Sequence, residues 1–168
     1  MALRLPQAHI DEMIAHAKED APNECCGIIA GDDGRATKLY RAINAEASPY
    51  RYSVEPRDLL RIHLSSAGYD VQVAEDAIAA GYMVLRSPPD LIITDVHMPH
   101  MDGFEFIEAM RGEKALAKIP VIFLTSHEEG DVRGKHLGAV GYVTKPIRAD
   151  KLLALVAQHV SGGRTPIG

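Results

Sequence analysis

Residues 91–111 read LIITDVHMPHMDGFEFIEAMR, and this stretch decides the fold. Its first part, LIIT, is apolar without the alternation of polar and apolar residues that a half-exposed strand shows. Such a run is typical of a strand in a parallel sheet that helices cover on both faces. The second part, from Phe104 to Arg111, has its apolar residues at helical spacing. The stretch therefore predicts a buried strand that ends at Asp95, then a loop and a helix.

The same alternation of strand and helix continues on both sides of this stretch. Further strands are predicted at DVQVAE, PVIFLTS and VGYVTK, and further helices at PRDLLRIHLSSAGY, DAIAAGYMVLRSPP, EEGDVRGKHLGA and ADKLLALVAQHV. Strands that alternate with helices form a parallel sheet with right-handed crossovers. The pattern predicts a doubly wound α/β domain over residues 57–160 that lacks its first strand.

Polar side chains end three of the predicted strands. Asp95 ends LIITD, Thr125 lies near the end of PVIFLTS, and Lys145 ends VGYVTK. Because ligands bind beyond the carboxyl ends of parallel strands, we expect these three side chains to converge on one edge of the sheet. A carboxylate, a hydroxyl and an ammonium group suit an anion formed on the carboxylate, since the lysine neutralises charge and the hydroxyl donates a hydrogen bond.

These motifs resemble the receiver domain of bacterial two-component response regulators, a flavodoxin-like fold. The resemblance implies that Asp95 accepts a phosphoryl group from a histidine kinase or a phosphotransfer protein in the cytoplasm. It implies that Lys145 contacts the phosphoryl group, that Thr125 is the switch hydroxyl, and that Tyr142 rotates with the state. Mg²⁺ is the implied cofactor, held by Asp95 and the carbonyl of His97. The residues implied to shape the surrounding loops are Met98, Pro99, Gly103 and Pro146, the last after a cis bond.

One departure from this family concerns the metal. Receivers carry an acidic pair at the end of their first strand, and counting back places that pair near Arg51 and Tyr52, where no acid occurs. Mg²⁺ prefers carboxylate oxygens, so Asp95 is the one certain carboxylate ligand. If CCGIIAG filled the central slot of a five-stranded sheet, Asp32 and Asp33 would lie where the pair belongs.

Three routes could fill that central slot. CCGIIAG is apolar enough for a central strand, although Asp32-Asp33-Gly34 also predicts a simple hairpin turn back into KLYRAIN. YRYSV, just before the helix at Pro56, is the second candidate. Exchange of elements between two chains, which would give a homodimer, is the third. We expect an N-terminal helix and hairpin to supply the missing strand.

Residues 1–56 have their own resemblance, to the N-terminal half of bacterial JAMM (Mov34/MPN/PAD-1) metallopeptidases. The features that carry it are a leading helix, NECCGIIAG, a hairpin and YSVEP. In that family the acid of this motif is the general base, which implies Glu24 here. The zinc site needs H-x-H, and none of the eight histidines forms that motif. We therefore expect a chimera that is not an enzyme, and a metallo-isopeptidase is the least favoured function.

Composition limits the remaining function classes. The net charge is −5 and the basic residues are scattered, which argues against a nucleic-acid partner. No apolar run is long enough to cross a membrane. Cys25 and Cys26 are adjacent, which makes a disulfide between them unlikely and favours a reducing cytoplasm. We expect a receiver-like phosphoacceptor with a flexible tail at residues 161–168; the alternative is a folded chimera without signalling activity.

Overall fold

The computed structural model describes residues 4–32, 35–51, 53–98, 100–126 and 132–160. Predictions that concern Asp33, Tyr52, Pro99 and the tail at residues 161–168 lie outside these ranges. The chain divides into two compact units, Met1–Ser66 and Ala67–Gly168.

The first unit contains two helices and a hairpin. Helix α1 spans Gln7–Asp20, strands β1 and β2 span Cys26–Asp32 and Arg35–Ala42, and helix α2 spans Pro56–Ser66. The two strands pair antiparallel. A small core joins the hairpin to α2 and consists of Cys26, Tyr40, Ala42 and Ile62. A hairpin of two strands is only marginally stable without a covering layer. Helix α2 provides this layer, because its Ile62 is buried against the hairpin.

The loop between β2 and α2 is organised by one asparagine. The amide of Asn44 donates to the carbonyls of Glu24 (2.8 Å) and Arg51 (3.1 Å). Asn44 also forms an isolated antiparallel bridge with Val54. The segment YRYSV therefore forms no strand within its described residues, and it closes a loop that starts at the end of the hairpin.

The second unit is the α/β part. It contains α3 (Ala77–Arg86), β3 (Ile92–Asp95), α4 (Gly103–Arg111), β4 (Val121–Thr125), α5 (Val132–His136), β5 (Ala139–Thr144) and α6 (Ala149–Ala157). The strands form a parallel sheet in the order β3-β4-β5. All five residues of β4 are buried, as the lack of alternation predicts for a central strand. Phe123 and Ile107 are fully buried in its core.

Receiver-type α/β architecture is confirmed, but the sheet has fewer strands than expected. The described residues contain three parallel strands, and the hairpin strands β1 and β2 pair only with each other. Hence CCGIIAG does not provide a central strand to this sheet. The segment DVQVAE forms no β-ladder either. The physical reason is that a strand needs a neighbour for its backbone hydrogen bonds, and the described residues provide no strand between DVQVAE and β3.

Helix α4 begins at a well-formed cap that fixes the loop after β3. The Asp102 carboxylate accepts from the Glu105 amide (2.7 Å), and the Glu105 carboxylate accepts from the Asp102 amide (2.9 Å). This reciprocal capping box satisfies two backbone donors that a helix start leaves open. Among the described residues, no helix has both the length and the apolar character to cross a membrane.

Candidate functional site

The candidate site lies at the carboxyl ends of β3, β4 and β5. The Lys145 ammonium forms an ion pair with the Oδ2 atom of Asp95, so residues 50 positions apart in the sequence meet. The backbone amide of Lys145 donates to the Thr125 carbonyl (2.8 Å), which fixes where the lysine leaves the sheet. The parallel order β3-β4-β5 brings the three predicted residues to one edge, as expected from topology.

Both carboxylate oxygens of Asp95 have an interaction partner. Oδ2 faces Lys145, and Oδ1 accepts a hydrogen bond from the amide of His97 (3.1 Å). The side chain is still 29% exposed, so a reactant can approach it. Thr125 is 8% exposed at the end of the neighbouring strand. A nucleophile, a cation and a hydroxyl-bearing residue therefore border one accessible position.

The loop after Asp95 is held close to β3 by backbone contacts. The amide of Gly103 donates to the carbonyl of Val96 (2.9 Å). A Cβ atom at Gly103 would collide with the carbonyl oxygen of Asp95, so this position requires glycine. The Thr94 hydroxyl lies 3.7 Å from the sulfur of Met98. Two loop residues expected from the resemblance thus lie against the strand that carries Asp95.

Beyond Lys145 the chain turns through a cis peptide bond to Pro146, as the resemblance implies. Tyr142 lies on β5 with its ring stacked on Phe123 at 5.9 Å between centroids. Phe123 in turn contacts the ring of Phe104 at 4.7 Å. The Tyr142 hydroxyl lies against Gly134 of α5, where a Cβ atom would collide with it. The aromatic residue is therefore packed between the sheet and α5.

Arg133 is a residue that the sequence reasoning missed. Its guanidinium lies 3.5 Å from the Asp102 carboxylate and 3.3 Å from that of Glu108, and 5.5 Å from the centre of the Phe104 ring. It thereby ties α5 to the start of α4. Arg133 lies 25 residues from Glu108, so no local spacing signals the contact.

Among the described residues, the carboxylates do not form the donor set that Mg²⁺ needs. Within the described ranges, no three His, Cys, Asp or Glu side chains come together as a group that could hold a metal ion. Asp95 itself is already paired with Lys145. Asp32 ends β1 opposite Arg35 in the hairpin of the first unit. Its expected role as a replacement for the lost acid stays a prediction, and Asp33 lies outside the described residues.

Glu24, the general base implied by the metallopeptidase resemblance, is exposed just before β1. Its carbonyl accepts from Asn44, a structural role of the backbone. A zinc-dependent hydrolase needs three protein ligands beside its base. No such group occurs among the residues that the structure describes.

Comparison with known families gives two matches. Residues 54–157 match the response regulator receiver domain, and residues 6–97 match the prokaryotic homologs of the JAB domain. The two matches overlap over residues 54–97. The two matches follow the order expected from the sequence, with the JAB-like part before the receiver-like part.

Curated relatives and solved structures agree with the first match. The DNA-binding dual master transcriptional regulator RpaA of Synechocystis is 39% identical over 101 residues, which are 59% of this chain and 42% of the relative. Response regulator MprA of Mycobacterium tuberculosis is 36% identical over 100 residues, which are 58% of this chain and 43% of the relative. The chain thus spans less than half the length of either of these relatives. The chemotaxis response regulator CheY4 of Vibrio cholerae superposes with a TM-score of 0.59 at 33% identity, covering 62% of this chain and 88% of that one.

One further solved structure bears on the metal. The receiver domain of sensor histidine kinase PA1611 from Pseudomonas aeruginosa has a TM-score of 0.54 at 25% identity, covering 60% of this chain and 84% of that one. That receiver domain has a magnesium ion coordinated in its active site cleft. Similarity of fold therefore extends to a metal-binding receiver.

Proposed function

Because the chain belongs to the response regulator receiver domain family over residues 54–157, and to the prokaryotic homologs of the JAB domain over residues 6–97, we propose that it is a two-component phosphoacceptor module. Asp95 receives the phosphoryl group from a histidine kinase or a phosphotransfer protein. The observation that carries this proposal is the ion pair of Asp95 with Lys145 at the carboxyl edge of the sheet, next to Thr125.

The proposed transfer uses groups that already border Asp95. A carboxylate oxygen attacks phosphorus, an aspartyl–phosphoryl bond forms, and the nitrogen–phosphorus bond of the donor phosphohistidine breaks. The imidazole leaves with the bonding electron pair and takes a proton from solvent. The ammonium of Lys145 neutralises charge on the phosphoryl oxygens, and the hydroxyl of Thr125 donates to one of them.

Weak transfer is part of this proposal. A bound divalent ion normally bridges and neutralises phosphoryl oxygens. Since the carboxylates of the described residues do not form such a site, Lys145 supplies the positive charge that acts directly at Asp95. We therefore expect phosphorylation that is slow and that changes little when Mg²⁺ is added.

The test is incubation of the full chain with a small acyl phosphate, with and without Mg²⁺, followed by intact mass and peptide mapping. One added phosphoryl group at Asp95, absent from Asp95→Asn, is the expected result. Asp90→Asn is the matched control, because Asp90 is an exposed carboxylate five positions before Asp95. Label that persists in Asp95→Asn, or no label in any protein, would contradict the proposal.

A second candidate function is a folded chimera without signalling activity. The missing magnesium donors favour it. It predicts cooperative unfolding of the second unit together with no label at Asp95 under any donor. The mass experiment therefore separates the two candidates. We do not propose peptidase activity, since Glu24 has no metal-ligand group beside it among the described residues.

Location and assembly follow as parts of the same proposal. A cytoplasmic location fits a phosphodonor kinase and the unbridged thiols of Cys25 and Cys26. Within the described residues, β3 is an edge strand of its sheet, and exchange of elements between two copies of the chain would cover that edge and give a homodimer. Light scattering of the full chain checks the homodimer; a monomer at all concentrations would contradict it. DNA binding is not proposed, because the net charge is −5.

A further inference from the structure

The second unit has a cavity at the edge of the sheet opposite Asp95. It has a volume of about 440 Å³ and lies before the first residues of β4 and β5, next to the end of α4. It is lined by Arg111, Ala117, Lys118, Ile119, Pro120, His136, Leu137, Gly138 and Val140. Strand β4 separates the two edges by about 16 Å, at 3.3 Å per residue. A molecule in this cavity would therefore not touch the proposed phosphorylation site.

The charged side chains that line the cavity are all basic. Arg111 and Lys118 are cations, His136 is a base, and no lining residue is acidic. Within the described part of the chain, neither Arg111 nor Lys118 forms a salt bridge with a carboxylate. Two cations without a counter-ion in a concave, partly apolar site raise the local potential for anions.

Arg111 is fixed so that part of its guanidinium faces the cavity. Its Nε and Nη1 atoms donate to four backbone carbonyls at 2.8–3.2 Å, those of Leu116, Ala117, Ile119 and Leu137. These bonds hold the planar group in place without cancelling its charge. Burial accordingly lowers the pKa of the Arg111 guanidinium, with no anion to offset it.

The remaining nitrogen of Arg111, Nη2, lies beside Gly138, a residue without a side chain. No hydrogen bond from Nη2 to any described residue occurs, and this atom lies next to Gly138, 3.4 Å from where a Cβ atom would be. Gly138 has φ +77°, a conformation that side-chain-bearing residues rarely adopt. The wall beside Nη2 is therefore kept free of a side chain, and two N–H donors remain available to a ligand.

We propose that this cavity binds a small organic phosphate, with the phosphate on Nη2 of Arg111 and on the Lys118 ammonium. A preorganised guanidinium suits a phosphate dianion because its donors are already oriented. Walls formed by Ile119, Leu137 and Val140 offer contact to a carbon skeleton. Because the cavity lies at the edge of the sheet opposite Asp95, binding there does not require phosphorylation of Asp95.

The test is an amide NMR titration of the full chain with phenyl phosphate, a phosphomonoester with an apolar group. We expect saturable shifts at Leu137, Gly138 and Lys118. We expect weaker binding of inorganic phosphate, which lacks the apolar part, and of phenol, which lacks the charge. Equal affinity for phenyl phosphate and inorganic phosphate would overturn the organic part of the assignment, and equal affinity for phenol would overturn the anionic part.

Matched charge reversals locate the site. Both Lys118 and Lys114 are exposed in the segment between α4 and β4, but Lys114 does not line the cavity. Lys118→Glu should weaken phenyl phosphate binding by about tenfold or more, which corresponds to about 1.4 kcal/mol. Lys114→Glu should leave binding almost unchanged. Absence of saturable shifts, equal losses in both variants, or shifts confined to Asp95 and Lys145 would overturn the site.

Discussion

A single methyl group added at Gly134 tests how Tyr142 is packed against α5. Gly134 is buried in α5, and a Cβ atom there would collide with the Tyr142 hydroxyl and lie 2.9 Å from Cε1 of Phe104. Overpacking of this kind costs about 1–3 kcal/mol. In a helix the Gly→Ala change otherwise gains about 0.5–1 kcal/mol. The expected net result is destabilisation of the second unit by about 1 kcal/mol, and by no more than about 2.5 kcal/mol.

Gly81→Ala is the matched control for this prediction. Gly81 lies inside α3, and a Cβ atom there would meet nothing within 4 Å. The same substitution should therefore stabilise by about 0.5–1 kcal/mol, the helix-propensity gain alone. Two glycines in helices of one unit thus carry opposite predicted signs, and only the contacts of the added methyl group differ.

The assay is urea unfolding followed by the amide NMR signals of Val121–Thr125, because the two units need not unfold together. Adding Tyr142→Phe to Gly134→Ala removes the hydroxyl that the methyl group meets, and should recover part of the loss. A double-mutant cycle with no coupling between the two positions would refute the packing of Tyr142 on Gly134. A stabilising Gly134→Ala would refute it as well.

Three further predictions concern single groups. Asp102→Ala removes the capping box of α4 and should cost about 1 kcal/mol in the free energy of unfolding of the second unit, whereas Asp102→Asn keeps an acceptor and should cost less. Gly103→Ala should shift the amide signals of Asp95 and Val96, since the new methyl group collides with the Asp95 carbonyl; unchanged shifts would contradict the contact. Burial, and after it the nearby Cys25, raises the pKa of the Cys26 thiol above its ordinary value. The folded state therefore favours the neutral thiol. The free energy of unfolding of the first unit should stay constant below about pH 9 and fall as the pH rises further, because deprotonation of Cys26 then favours the unfolded chain. Iodoacetamide should accordingly label the half-buried Cys25 before Cys26, and the reverse order in peptide mapping would contradict this.

The sequence predicted β3, β4 and β5 and the helices between them because their signals are local, whereas the strand predicted at DVQVAE does not form. The unbroken apolar run at β4 is typical of a strand buried on both faces, and the ends of β3 and β4 place Asp95 and Thr125 on one edge. Lys145 and Gly103 follow from the same topology together with the resemblance. Each of these inferences needs the order of the elements, and none needs a specific tertiary contact.

What the sequence did not predict depends on contacts between distant residues. The hairpin of CCGIIAG with its return strand was predicted from Asp32-Asp33-Gly34 and is confirmed, but the expectation that it joins the parallel sheet was wrong. Pairing with the return strand competes with entry into that sheet, and the hairpin has the shorter loop to close. The contact of Arg133 with Asp102 and the convergence of four carbonyls on Arg111 leave no periodic trace either. These contacts can be identified only from the three-dimensional structure of the loops.

Helix α2 lies inside both family matches but packs with one compact unit. The receiver match begins at residue 54 and the JAB match ends at residue 97, so both contain the helix Pro56–Ser66. In folding it belongs to the hairpin, because Ile62, which is 1% exposed, completes the small core with Cys26, Tyr40 and Ala42. A cut at residue 54, where the receiver match begins, would open that core, whereas a cut after Ser66 leaves both compact units whole. The start of the receiver match and the end of the first compact unit are therefore about twelve residues apart, roughly three turns of helix.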